Sequence, residues 1–349
     1  MKWMRYVIIA ASAVMLSGCA MGGATGEKTV LGMHYLEDED YQQAQRMFED
    51  AVREGEQETL AYRGLGIAQM GLAQYEQAAE SFEMALDAAD DRMPENVLDI
   101  SLYLATAQYR MKEYEETADT CTRILEKSEE GDAQAYFLRG ASYLREDLQE
   151  EAKADFASAV ALAPNDYDLY LNIYECYSDM NLSGIGGEYL QNALNIQGDD
   201  LEHYYNRGRI YYYLGNYEEA QSQLIGPVEA GYEPAMFLIA RVYMAQEDYE
   251  RAESVYLEIQ QESGDSTQIF NGLALCAMER GNYDFALGYI TQGLALDGAS
   301  GKQELYFNEI VLYERKLDFE KAKIKAQEYV ERYPGDEKGI RELTFLKTR

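Results

Sequence analysis

Four kinds of group in this chain could do chemistry: 63 carboxylates, four cysteines, two histidines and a glycine-rich Lys-Thr segment near the N-terminus. Each fails a test of spacing. His34 and His203 stand in different segments, so neither a His-based metal site nor a Ser-His or Cys-His pair is available. Gly22-Gly23-Ala24-Thr25-Gly26-Glu27-Lys28-Thr29 has the glycines and the Lys-Thr of a phosphate-cradling loop. Glu27 separates Gly26 from Lys28, however, and the segment before it reads as a cleaved signal rather than a strand. The run Glu37-Asp38-Glu39-Asp40 could attract a cation, but it lacks the glycine and the alternate spacing of a calcium loop. It reads instead as the charged cap of the next helix, where the dipole favours anions. Beyond Cys19 only Cys121, Cys176 and Cys276 remain, an odd number spread along the chain, so they read as structural thiols rather than a disulfide framework. Carboxylate pairs are too numerous for any one to be informative. With no catalytic constellation, no metal site and no cofactor site, an enzyme is not expected.

What does recur is a set of aromatic and small residues at helical spacing. The pattern reads Tyr41-Ala44-Phe48-Ala51, then Tyr75-Ala78-Phe82-Ala85, then Ala152-Phe156-Ala159 with Pro164 closing the unit. Weaker copies follow at Tyr217-Ala220-Leu224, Tyr249-Ala252-Tyr256, Tyr283-Ala286-Ile290 and Phe319-Ala322, the last closed by Pro334. Offsets of three and four put these residues on one stripe of a helix. Upstream of each lies a second amphipathic segment, as in Ala135–Tyr143, where Gly140 sits between Tyr136 and Tyr143. Two helices pack closely only where a small residue replaces a bulky one, which assigns Gly66, Gly140, Gly208, Ala240 and Ala274 in the first helix, and Ala78, Ala152 and Ala220 in the second, to helix contacts. Most of the 31 tyrosines then fill the volume between successive pairs. A period near 34 residues, sustained from near Thr25 to Asp336, means stacked helix pairs rather than one globular core.

These units resemble tetratricopeptide repeats over most of the chain, most specifically at Tyr204-Tyr205-Asn206-Arg207-Gly208 through Leu214-Gly215-Asn216-Tyr217-Glu218-Glu219-Ala220. Nine units start near Thr25, Thr59, Leu98, Ala133, Tyr167, Leu201, Glu233, Thr267 and Gln303. The resemblance implies an all-α fold, a right-handed superhelical solenoid of about nine helix pairs over residues 28–336, closed by a capping helix at 337–349. Three places depart from the pattern. Thr117 and Cys121 stand where Ala and an aromatic are expected, and Ser183-Gly184-Ile185-Gly186-Gly187 predicts a late start for its helix. Pro227 predicts an early stop, because proline removes an internal hydrogen bond.

The resemblance also implies a concave face lined by the first helices. Its inward positions carry Tyr109 and Arg110, Phe137 and Arg145, Asn172, then Tyr205, Asn206, Arg209 and Tyr212, then Phe237 and Arg241, and finally Phe307, Asn308 and Arg315. Arg beside aromatics is a usual composition of protein-binding hot spots. Asn172, Asn206 and Asn308 share one unit position, at which members of the family bond an extended peptide backbone; an amide offers it both a donor and an acceptor. The asparagine that acidic-tail-binding members need elsewhere is absent: that position holds Arg209, Arg241, Glu175, Thr106 and otherwise apolar residues, so that ligand class is not supported. The opposing reading is that these arginines neutralise carboxylates of neighbouring units.

At the N-terminus Lys2 and Arg5 precede an apolar run from Tyr6 to Leu16, too short to span a bilayer but suited to a secretory signal. Leu16-Ser17-Gly18-Cys19 resembles a bacterial lipobox, which implies a signal peptide at 1–18, lipidation of Cys19 and a flexible tether at 19–27. Trp3, the sole tryptophan, would be lost with the signal.

Charge narrows the partners. The full chain carries a net −33, and residues 315–349 oppose it with ten basic against seven acidic residues. A surface this acidic repels nucleic acid, which is excluded as a partner of the main body. The sequence therefore reads as a lipid-anchored extracytoplasmic scaffold at the cell membrane, binding a protein or peptide segment in its groove. The alternatives are a binder of a small cell-wall ligand, or an envelope assembly or spacer protein acting through its convex face and basic end.

Overall fold

The computed structural model describes residues 26–90, 94–298 and 301–349, and its regular elements there are nineteen α-helices with no strand. Residues 1–18, Cys19 and most of the tether lie outside the described residues. Two compact blocks divide the chain, one ending at Ile196 and one running from Gln197 to Arg349.

The N-terminal block holds five helix pairs: α1 (Glu27–Glu37) with α2 (Tyr41–Glu54), α3 (Glu58–Gly71) with α4 (Tyr75–Asp87), α5 (Pro94–Met111) with α6 (Tyr114–Lys127), α7 (Ala133–Arg145) with α8 (Gln149–Leu162), and α9 (Tyr167–Asp179) with α10 (Ser183–Ala193). Four pairs and a terminal helix make the second block: α11 (Leu201–Tyr213) with α12 (Tyr217–Glu229), α13 (Glu233–Ala245) with α14 (Tyr249–Ser263), α15 (Thr267–Glu279) with α16 (Tyr283–Ala295), α17 (Lys302–Arg315) with α18 (Phe319–Arg332), then α19 (Glu337–Leu346). Among the described residues no helix is long and apolar enough to cross a membrane.

Carboxylates start many of these helices. Asp132 and Asp200 each accept a 2.7 Å bond from the backbone N–H three residues on, and Asp40, Asp248 and Asp318 accept the equivalent bond at second helices at 3.2, 3.1 and 3.2 Å. The acidic run before Tyr41 thus ends in a cap. Within every pair, one residue just before the second helix takes a left-handed φ; Gly215 and Gly281 fill it in two pairs, but Ala73, Lys112 and Leu317 fill it elsewhere.

Packing follows from the small residues. Phe48, Phe82 and Phe156 are fully buried on the second helices. Phe82 lies against Gly66 of its own pair and stacks at 5.4 Å on Tyr103 of the next. Phe156 likewise meets Gly140 of its own pair and, edge-on at 5.6 Å, Tyr177 of the next. One ring therefore bonds two repeats, which makes the stack cohere without a central core. Where Cys121 replaces the ring, Leu102 and Phe137 share its cluster and supply the volume.

Three local expectations fail. Helix α10 starts in register at Ser183 and is short at its other end, because Gly186 is a packing contact, 3.1 Å from the Tyr174 backbone on an added Cβ. Helix α12 runs its full 13 residues through Pro227, which is buried near the last turn and costs a single bond. Helix α5 begins at Pro94 rather than Leu98, a position where proline's missing N–H would be unpaired anyway.

Candidate functional site

Within each block the first helices of successive pairs touch directly, α1 to α3 to α5 to α7 to α9, and α11 to α13, whereas successive second helices do not pack on each other comparably among the described residues. First-helix side chains therefore form a continuous row in the N-terminal block, and in the second block α11 touches α13 and α15 touches α17.

In the N-terminal block that row is largely closed. Tyr109 and Phe137 are each only 3 % exposed and belong to the core. Arg145 donates to the Tyr109 hydroxyl at 3.2 Å and to Asp179 of the next first helix at 2.8 Å. Burial pushes the Tyr109 hydroxyl well above its ordinary value, so it stays neutral. Arg110 lies 5.4 Å from the Tyr75 ring centre, and Asn172 is half-buried on α9. Tyr109, Phe137 and Arg145 are thus tied up between repeats rather than open to a ligand. A position that faces inward is also the one the adjacent first helix covers when the helices are this close.

In the C-terminal block the row divides. At its far end Phe307 is 8 % exposed, packed edge-on at 5.6 Å against Tyr329 and covered by the Lys338 ammonium at 3.8 Å. Asn308 donates to Asn271 at 2.6 Å, and Arg315 forks onto Glu279 at 2.6 and 2.9 Å. Phe307 and Asn308 are therefore also engaged internally.

Helices α11 and α13 differ. Tyr205 packs edge-on with Tyr232 at 5.5 Å, and Arg209 lies 5.7 Å from the Tyr205 centre while donating to buried Asn206 at 2.8 Å. Tyr212 packs near Tyr213 and Tyr217, and the exposed Arg241 reaches across from α13 to lie 4.9 Å from the Tyr212 centre. Phe237 is half-buried, 6.2 Å from Tyr256. Although Arg241 reaches solvent, partial desolvation by the packed rings opposes its charge; the Tyr212 and Tyr213 hydroxyls outweigh it, so the guanidinium is held above its ordinary value. Tyr232 sits in the turn before α13, outside the positions the period singles out, so no spacing rule points to it.

This face presents flat rings and two guanidiniums, with the Asn206 amide buried beneath them. It can stack, bond and pair charge, but it holds no nucleophile beside a base. No cluster of three or more His, Cys, Asp or Glu among the described residues is placed to hold a metal. The thiols are inert cores: burial pushes Cys121 and Cys276 up to about 12, and Cys176 higher still.

Family models described as tetratricopeptide repeat match residues 29–94 and 205–267, and a second such model matches 133–166. Those three segments carry tetratricopeptide repeats. Similar solved structures include a tetratricopeptide repeat protein from Parabacteroides merdae ATCC 43184, at 16 % identity over 84 % of this chain and 100 % of that one, TM-score 0.45. Yeast Tom70 is similar at 14 % identity over 92 % and 87 %, TM-score 0.46. YrrB, a TPR protein with an unusual peptide-binding site, is similar at 19 % identity over 58 % and 96 %, TM-score 0.37. No curated protein matches the sequence. The most open aromatic-and-arginine face, on α11 and α13, falls inside the second matched tetratricopeptide segment.

Proposed function

We propose that this chain is a lipid-anchored, extracytoplasmic scaffold whose first-helix face on α11 and α13 binds a protein segment. The observation that carries the reading is the row Tyr205, Arg209, Tyr212 and Arg241. There, Tyr205, Arg209 and Tyr212 are half-buried and Arg241 exposed, whereas Tyr109, Phe137 and Phe307 are sealed and Arg145 and Arg315 pair with carboxylates. Rings supply apolar contact at small entropic cost, and the guanidiniums, one of them braced by Asn206, fix register. The anchor rests on Cys19 in its Leu16-Ser17-Gly18-Cys19 context.

The test uses the full chain, captured from detergent-solubilised membranes beside an Asn206→Ala, Arg209→Ala, Arg241→Ala chain of equal helicity. A partner held by the first and lost from the second supports the groove. Equal capture by both moves the function to another surface, of which the basic C-terminal end is the first choice: Ile340 and Phe345 are exposed there beside Arg341 and Lys347. Separately, Cys19→Ser is expected to release the chain from the membrane fraction; retention would sink the anchor.

A further inference from the structure

Resting on that reading of the groove, the geometry points to Arg241 as the subsite for an isolated carboxylate side chain of the bound segment.

The inference comes from what five arginines between neighbouring helices do. Arg63 pairs with Asp99 at 2.5 Å, Arg139 with Asp155 at 2.7 Å, Arg145 with Asp179 at 2.8 Å, Arg280 with Glu253 at 2.5 Å and Arg315 with Glu279 at 2.6 Å. Each of these partners comes from a neighbouring helix of the stack. In a chain with 63 carboxylates against 30 basic residues, such matching is easy to supply. Arg241 is exposed on the inner row, yet the groups that face it are tyrosines, and no carboxylate of the described residues pairs with it. Its partner within the chain is the face of Tyr212, 4.9 Å away.

Tyr212 holds the guanidinium by its ring and its hydroxyl, and the remaining N–H groups of the fork can reach a carboxylate. Tyr212 thus positions the cation without neutralising it. The remaining acidic surface repels a run of negative charge, so the complementary segment carries a single Asp or Glu at this point rather than an acidic tract. The apolar residues flanking that carboxylate meet Tyr205, Tyr212 and Phe237.

The experiment pans a displayed library of random short peptides on the immobilised full chain, in parallel with Arg241→Leu, Arg241→Lys and Arg241→Glu chains matched for helicity. The wild-type chain is expected to select peptides sharing Asp or Glu at one position. Arg241→Leu loses that preference, weakening a selected peptide about tenfold. Arg241→Lys retains it in part, and Arg241→Glu replaces it with Lys or Arg. Peptides selected without an acidic position, or an acidic preference unchanged in Arg241→Leu, would overturn the subsite while leaving the groove standing. No enrichment on the wild-type chain would remove the groove and the subsite together.

Discussion

Gly66 lies flat on the ring of Phe82, so close that a Cβ built on the glycine would sit 2.5 Å from Cε1 of the ring. Phe82 is fully buried and cannot retreat, since Tyr103 stacks on it from the next repeat. Gly66→Ala therefore gains helix propensity but overpacks, and the net loss is expected at about 1–2 kcal/mol. Phe82→Leu in the same chain should restore part of that loss, a coupling that a urea-unfolding double-mutant cycle reads directly. Additive effects would mean that the contact is not what holds the two helices together.

Gly187, in contrast, has open space where its Cβ would go and lies inside α10. Gly187→Ala should stabilise the N-terminal block by about 0.5–1 kcal/mol, seen as a higher denaturation midpoint. An unchanged or lower midpoint would show that the glycine serves a purpose that packing does not reveal.

These two glycines also show how far the sequence carries. Gly66, Gly140 and Gly208 are legible because they recur at one spacing opposite a large side chain, and the structure puts Phe82, Phe156 and Leu224 on them. Gly186 is not legible in the same way: set among other glycines it reads as a turn, and only the closeness of Tyr174 explains it. Site residues are harder still. Spacing assigns Tyr109, Phe137, Tyr205 and Tyr212 to the same inward row, but not how tightly the neighbouring first helix covers each. That depends on contacts between repeats, such as Arg145 with Asp179, which join residues with no shared local pattern.

Leu317 holds a left-handed φ of 58° in the turn before α18, with its side chain 74 % exposed. An L-residue pays for that backbone, and exposure means the side chain offers little in return. Leu317→Gly should raise stability by about 0.5–1 kcal/mol after the glycine's own entropic cost. Gly281→Ala, at the equivalent turn with φ 76°, should lower it by a similar amount in the same thermal melts. Opposite signs from these two substitutions are the prediction; equal signs would refute it.

Burial first, and then the neighbouring Glu342 carboxyl on α19, push the Glu314 carboxyl on α17 from the usual 4.5 up to about 7. Folding thus favours the protonated form. The stabilisation is fully present below pH 4.5 and is lost as pH rises through about 7. Because the pair is partly exposed, the effect on α19 docking should be about 1 kcal/mol between pH 5 and 7.5. Glu314→Gln should abolish that increment, measured as the difference between the two chains in urea midpoint at each pH. A wild-type chain whose pH dependence matches Glu314→Gln would show the two carboxyls to be uncoupled from docking.

Buried thiols offer a reading of local stability along the stack. Cys121 and Cys176 lie in the N-terminal block and Cys276 in the C-terminal one, all buried, with Cys276 3.2 Å from the Met244 sulfur. With Cys121 and Cys276 pushed up to about 12 and Cys176 higher, almost no thiolate exists at pH 8, and reagent has no path to the sulfur. In a Cys19→Ser chain, none of the three should react with an aromatic disulfide reagent under native conditions, and all three should react in denaturant. Because repeats open locally rather than all at once, subdenaturing urea should expose them at different concentrations. Single-cysteine chains would assign each step to its repeat. Simultaneous exposure of all three would instead mean that both blocks unfold as one cooperative unit.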